Sequence, residues 1–274
     1  MYTDTDGIVF RQVKAPAGRR MVLIFTRKYG KISVCSSITE GKGRSKAALA
    51  VRPFTYGRYD LFVNRGYYDL NSAEVKRSYY SLGENLDKYM YASFVLELAE
   101  KMLPEEAPHP AMLDLILAFL ASMERKKTGY LTTVLAFEVK ALSIMGALPV
   151  LDCCSICGRK RDPSAEKGKP VAFSIPDGGI ICRQCLKKKA AEEERNRTGQ
   201  LIYTPEFDIV NITKYFLKKP VSAFDAVALE DGVSREMQRV VREYISFYFD
   251  IGRLKSEDII GASADAAGEK NERL

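Results

Sequence analysis

The chain has 274 residues, of which 46% are hydrophobic and 28% charged, the balance of a folded protein larger than one average domain and not that of a disordered chain. Lys and Arg number 42 against 35 Asp and Glu, and the resulting net charge of +7 suits a polyanionic partner. The single histidine, His109, excludes His-rich zinc hydrolase sites and two-His iron sites, and leaves no Ser-His-Asp triad that does not use it.

The positive charge is concentrated. The first eighty residues hold fifteen Lys and Arg and six acids, an excess of nine, so the rest of the chain is slightly acidic. The opening Met1 to Gly7 lacks a basic region followed by an apolar one, and the most apolar helical stretch, Met112 to Met123, is short and broken by Asp114. Neither a signal peptide nor a membrane span is expected, and the location expected is cytoplasmic.

In chain order, the first seventy-five residues read as strands: Gly7–Val13, Met21–Phe25, Lys31–Ile38 with Ile32, Val34, Ser36 and Ile38 on one face, Tyr59–Val63 and Tyr67–Leu70. Turn residues separate them at Pro16–Gly18, Tyr29–Lys31 and Asn64–Gly66. Five short strands predict a small barrel, either of OB type or SH3-like. A Gly-rich basic loop, Glu40–Lys46, lies between the third and fourth strands. Cations follow phosphates and aromatic rings offer stacking faces, so a basic barrel suits nucleic acid. The candidate DNA-binding residues are Arg27, Lys28 and Lys31 around the Tyr29-Gly30 turn, Lys42, Arg44 and Lys46 on the loop, and Arg52 beyond it. Tyr56, Tyr59, Tyr67 and Tyr68 are read as core. The loop lacks the GxxxxGK[ST] spacing of a P-loop, which speaks against nucleotide hydrolysis.

From about Ser81 the apolar period becomes helical. Leu86, Tyr89, Met90, Phe94 and Leu98 form one stripe; Leu113, Ile116, Leu117 and Leu120 a second; Val134, Phe137, Ala141, Ile144, Met145 and Leu148 a third. Prolines 104, 108 and 110 separate the first two helices, and Pro149 stops the third. Two further helices are expected after Thr204-Pro205-Glu206 and from Ser234. Glu97, Glu100, Glu105 and Glu106 lie near a helix end without a spaced carboxylate partner and read as a solvated face, not as a Mg²⁺ nuclease site.

The strongest motif is a pair of CxxC knuckles, Cys154/Cys157 and Cys182/Cys185. Each puts two thiolates on one turn, and together they supply the four sulfurs of a tetrahedral zinc site. Twenty-four residues separate the knuckles, and a hairpin of Val171–Ile175, a turn through Pro176–Gly179 and Ile180–Ile181 returns the second to the first. Four thiolates close the metal's shell, so one structural Zn²⁺ per chain is expected, with iron as the alternative metal. Neither knuckle reads as the helix-opening motif of a thioredoxin. Cys35 reads as a strand residue, and Cys153 as an alternative to Cys154 in a less favourable spacing.

These features occur in the order of the RecO family of bacterial recombination mediators, which the chain resembles over about residues 1–255. The resemblance rests on Gly7-Ile-Val, Leu23–Thr26 with Gly30-Lys31, Gly41–Ser45, Ala48-Leu49, Pro53-Phe54, Leu96–Leu98, Phe137-Glu138, Gly146–Pro149, and above all on Pro149–Gly158 with Phe173-Ser174 and Gly178–Cys185. It implies an α+β chain: an OB-type five-stranded barrel over 1–80, then an α-helical domain over 81–255 with an inserted four-cysteine zinc module at about 150–190. A disordered tail over 256–274 has no counterpart. It also implies a non-enzymatic, nucleoid-associated protein that binds single- and double-stranded DNA and anneals complementary strands. Its implied partners are RecR and single-stranded DNA-binding protein (SSB), with RecA loading as the outcome. An RNA-binding barrel with a zinc ribbon and a metal-dependent nuclease are the competing readings.

Overall fold

The computed structural model describes residues 1–16, 19–36, 46–162, 171–196 and 201–257. The chain divides into two compact units, Met1–Tyr130 with the described residues from Arg253, and Leu131–Gly252.

In the first unit, β1 (Tyr2–Lys14), β2 (Arg20–Thr26), β3 (Gly30–Ser36), β4 (Thr55–Asn64) and β5 (Tyr67–Ser78) close into a barrel in the order β1-β2-β3-β5-β4. Only the β3–β5 pair is parallel. This is the OB-like order, and it settles the choice between the two barrels that the strand count alone left open. β1 makes the closure. Its first half pairs with β4, its second half with β2, and a bulge between Val9 and Arg11 supplies the bend. Alternating residues fill the interior: Val9, Val22, Ile24, Ile32, Val34, Tyr59, Leu61 and Leu70. A short helix, α1 (Lys46–Ala50), is followed by Val51, which joins this core, and the Tyr59 hydroxyl donates to the Ala50 carbonyl at 2.8 Å. The strands run longer than the alternation predicts, β1 from Tyr2 and β5 to Ser78. Tyr59 is buried as expected, but Tyr67 is not core. It is 77% exposed at the β4–β5 turn, where a strand end leaves nothing to cover it.

The helices of this unit are α2 (Leu86–Met102) and α3 (Pro110–Arg125), after a 3-10 turn at Tyr80–Glu84. Asn85 caps α2 by accepting from the Lys88 N–H, and Pro110 opens α3. The stripe predicted on α2 holds for Met90, Phe94 and Leu98, whereas Leu86 and Tyr89, in the first turn, are exposed. Barrel and helices are welded by polar contacts within the unit. The buried Lys31 ammonium donates to the Glu100 carbonyl at 2.7 Å and pairs with Glu105 at 3.0 Å, and the Glu106 N–H donates to the Lys31 carbonyl at 3.0 Å. Gly30 (φ +70°) admits this approach, since a Cβ there would lie 2.3 Å from the Ala107 carbonyl oxygen.

In the second unit, α4 (Tyr130–Ile144) is apolar around most of its circumference and buried from Thr132 to Val139. It accompanies α6 (Ile209–Lys218) and α7 (Asp231–Phe249). The Lys140 ammonium donates to Leu217 O at 3.2 Å, and Glu138 accepts from Gln238 at 2.9 Å. Helix α6 opens at Asp208, not at Thr204, because the Asp208 carboxylate accepts from the Asn211 N–H. Helix α7 opens at Asp231, and Ser234, the expected opening residue, is buried one turn inside it. The same unit carries the cysteine module: strands β6 (Ala172–Ser174), β7 (Gly179–Ile181) and β8 (Ile202–Tyr203) in the order β7-β6-β8, and helix α5 (Arg183–Asn196). The expected hairpin is present; the third strand, β8, is an addition.

Candidate metal centre and nucleic-acid interface

The module is built by backbone pairing. Val150 accepts from Ile180 N at 3.0 Å and donates to Gly178 O at 2.8 Å, and Ser155 N donates to Ile180 O at 2.8 Å. These bonds lay the first knuckle along the hairpin's return strand. A Cβ at Gly179 would sit 2.3 Å from the Val150 oxygen, so the crossing depends on glycine. The first knuckle closes through Cys154 N to Arg159 O and Gly158 N to Cys154 O, both 2.9 Å, with Gly158 at φ +70°. The second knuckle follows β7 directly and opens α5, with Leu186 N donating to Cys182 O at 2.9 Å. The second knuckle thus opens a helix, but after a β-hairpin and not after the βαβ strand of a thioredoxin motif.

The result is one cluster. The sulfurs of Cys154, Cys157, Cys182 and Cys185 all lie within 4.8 Å of one another, and those of Cys157 and Cys182 are 3.8 Å apart. Zinc–thiolate bonds of ~2.3 Å in a tetrahedron put sulfurs about 3.8 Å apart, so the donor set has the size a zinc ion requires. Cys154 and Cys185 are buried beside Ala172 and Ile181, and Cys157 is exposed. Burial opposes ionisation of Cys154, yet the N–H groups of Cys157, Cys182 and Ile156 facing its sulfur hold its pKa down to about 6. Burial and the other three sulfurs push the Cys185 thiol up to about 12. Cys182 is lowered, first by the Cys185 N–H. Four sulfurs this close resist ionising together, and a divalent cation removes that conflict, so residues and metal fit. Cys153 lies outside the cluster, half-buried in a bridge with Lys160, and Cys35 is half-buried on β3 with the Arg19 guanidinium 3.7 Å from its sulfur.

The candidate DNA-binding residues of the barrel have different surroundings. Lys31 is buried and engaged inside the unit, as described above. Arg27 pairs with Asp114 of α3, and that carboxylate raises its pKa. Lys28 is exposed, 3.6 Å from Asp4, which also holds Arg58 at 3.2 Å. Arg52 is half-buried between α1 and β4. Lys42 and Arg44 lie outside the described residues, as does the side chain of Lys46. Of the carboxylates read as a solvated face, Glu105 and Glu106 are exposed, whereas Glu97 and Glu100 are half-buried. Glu100 pairs with Arg11 at 3.0 Å, Glu105 pairs with Lys31, and Glu97 accepts from Lys255 N, Ser256 N and the Ser256 hydroxyl at 3.1, 2.9 and 2.6 Å. Ser256 and Glu257 therefore belong to the folded unit; the tail expected beyond them lies outside the described residues.

Two sets of cations were not singled out by sequence reasoning. Lys14 and Arg19 are exposed at the β1–β2 end of the barrel, where Arg20 pairs with Ser36, the last residue of β3. Around the cysteine cluster Arg159, Lys160, Arg183, Lys187 and Lys188 are all exposed. The Lys187–Lys189 run is visible in the sequence, but Glu192–Glu194 cancel it in any count of net charge.

Comparison with known proteins agrees with this architecture. The family described as "Recombination protein O N terminal" matches residues 1–79, and "Recombination protein O C terminal" matches residues 83–258. The chain belongs to the RecO family. DNA repair protein RecO of Alkaliphilus metalliredigens is 29% identical over 261 residues, covering 94% of this chain and 98% of the relative. The proteins of the same name from Caldanaerobacter subterraneus subsp. tengcongensis and Shouchella clausii are 23% and 27% identical, covering 94% and 95% of this chain and 96% and 94% of the relatives. RecO proteins are non-enzymatic recombination mediators, and this chain is one of them. Among the described residues no helix is long and apolar enough to cross a membrane.

Proposed function

We propose that this chain binds single- and double-stranded DNA, anneals complementary strands and, together with RecR, helps RecA load onto SSB-coated single strands in the cytoplasm. The observation that carries the reading is a closed barrel of OB order that coincides with the family's N-terminal region and holds the chain's positive excess. The barrel domain, residues 1–80, is the strand-binding part. Its grip is formed by Lys42, Arg44 and Lys46, together with Lys14 and Arg19, which border the strand ends around that loop, and Lys28. Arg27 and Lys31 contribute mainly to holding the barrel against α2 and α3.

The mechanism is charge neutralisation. Each cation that replaces a counterion lowers the repulsion between two strands, base pairing then supplies the driving force, and no nucleotide is hydrolysed. Zinc held by Cys154, Cys157, Cys182 and Cys185 supplies a cross-link between the two knuckles, and its role is structural.

The test is annealing of complementary strands precoated with SSB, without ATP, by the wild type and by Lys42→Ala/Arg44→Ala/Lys46→Ala. Fast annealing by the wild type and a loss of about tenfold or more in the variant are expected, with affinity falling steeply between low and moderate salt. A folded, metal-loaded wild type that fails to anneal, or that prefers RNA through its 2′-OH, overturns the reading in favour of the RNA-binding alternative.

A further inference from the structure

The five cations around the cysteine cluster form one face. On α5, Arg183 and Lys187 are one turn apart, as are Gln184 and Lys188, while Cys185 and Lys189 lie on the opposite, inward side. The side chains confirm this division: Cys185 is buried in the cluster and Lys189 pairs with Asp177 at 2.8 Å, whereas Arg183, Lys187 and Lys188 are exposed. The first knuckle adds to the outward side. Arg159 donates to the Gln184 side chain at 3.0 Å, which fixes it beside the first turn of α5, and Lys160 follows it, exposed. Among the described residues none of these five is paired with a carboxylate, while their inward neighbours Arg161 and Lys189 are paired with Asp208 and Asp177. Cations needed only to balance the module's acids would sit like Arg161 and Lys189. Five held outward on one small support leave a positive surface with no carboxylate partner among the described residues.

We infer that Arg159, Lys160, Arg183, Lys187 and Lys188 form a second binding site for a nucleic-acid backbone, separate from the barrel, so that one chain holds two strands at once. The inference rests on the DNA-binding reading above and deepens it. Annealing needs two polyanions near each other, and one barrel grip neutralises only one of them. The face is short, from Arg183 to Lys188 on α5 with Arg159 and Lys160 beside it, which suits a few phosphates of one strand.

The test uses the full-length, metal-loaded chain. One strand is immobilised, protein is bound to it, and capture of a second, labelled, non-complementary strand is measured, so that base pairing cannot join the two. The wild type is expected to capture the second strand. Arg183→Ala/Lys187→Ala/Lys188→Ala is expected to bind the first strand within about threefold of wild type, to capture the second about tenfold less, and to show a salt dependence of total binding shallower by about 2 in log–log slope. Should that variant lose its metal, Arg159→Gln/Lys160→Gln, which leaves α5 intact, carries the test with an expected loss of about threefold in capture. Wild-type capture by a metal-loaded variant overturns the second site and leaves these cations as compensation for the thiolates. Loss of binding to an Asp/Glu-rich peptide with strand capture unchanged overturns it in favour of a protein partner. A wild type that binds one strand but never captures another overturns this inference alone; one that binds none overturns the DNA-binding reading with it.

Discussion

Barrel and cysteine module are both basic, and they treat that charge in opposite ways. Seven barrel cations face an acid of the same unit: Arg11 meets Glu100, Arg27 meets Asp114, Lys31 meets Glu105, Lys28 and Arg58 share Asp4, Lys76 meets Asp6 and Arg77 meets Glu124. In the module the outward cations have no such partners among the described residues. Net charge therefore overstates how much of the barrel's surface is positive and understates the module's. The two regions also differ in what holds them together. The barrel encloses an apolar core closed by β1, whereas the module has three strands of two or three residues and a cluster of Ala, Ile and Cys side chains. A core that small does not offset the entropy of ordering its loops, and a metal held by the four sulfurs would make up the difference.

The largest effect expected follows from that contrast. Cys185→Ser, or removal of the metal by a chelator, should unfold the module and leave the barrel intact, since apparent binding energies of structural zinc run to about 10–16 kcal/mol and stabilise only the folded site. Hydrogen exchange is the measurement. Amides of Ile180, Ile181 and Leu186 should lose protection while those of Val22, Ile24 and Ile32 keep theirs. Protection lost equally in both regions would break the comparison, because it would make the chain one cooperative unit.

The elements most legible from sequence were those with a short-range physical cause. Cys154/Cys157 and Cys182/Cys185 read as one site because each CxxC is a local turn and the hairpin between them has its own turn residues. The alternation of Ile32, Val34 and Ser36 gave the buried face of β3 because a strand half in a core must alternate. What stayed hidden depends on long-range pairing. Nothing near Lys31 in sequence announces Glu105, so a lysine beside a Tyr-Gly turn read as a phosphate contact when it is buried. Tyr67 read as core because exposure at a strand end is a property of the closed barrel, and Asp208 outcompeted Thr204 as a cap through a hydrogen bond that spacing alone does not rank. The basic face of α5 stayed hidden because Glu192–Glu194 cancel Lys187–Lys189 in a charge count along the sequence.

A smaller effect sharpens the claim that the barrel's pairing with α2 and α3 is structural. Gly30→Ala would need a Cβ 2.3 Å from the Ala107 carbonyl oxygen and a left-handed backbone at φ +70°. The loop carrying Glu105 and Ala107 must then move away, and Lys31 loses its partners. A destabilisation of about 2–4 kcal/mol is expected, from strain plus the lost hydrogen bond and ion pair of the buried Lys31 ammonium. Denaturant unfolding gives the value, and single-strand affinity measured well below the midpoint should change less than twofold. A large loss of affinity in the still-folded variant would return Lys31 to the strand-binding surface.

The smallest effect concerns the segment from Arg253, which Glu97 of α2 holds through three hydrogen bonds. Burial works against its charge, but the Ser256 hydroxyl and the N–H groups of Ser256 and Lys255 outweigh it, so its pKa lies below the usual carboxylate value. A carboxylate whose folded pKa is depressed contributes stability that is fully present above its unfolded pKa, about 4.3, and is lost as the pH falls through the folded value. Glu97→Gln keeps the shape but weakens three charge-assisted bonds, and about 1 kcal/mol should be lost near neutral pH. The difference between wild type and variant should shrink as the pH falls from about 4.3 through the depressed folded value, below which the wild-type carboxylate is itself protonated. Melting curves taken from pH 7 downward decide it. A difference that stays constant across that range means that Glu97 acts through packing and that its charge does not secure the segment.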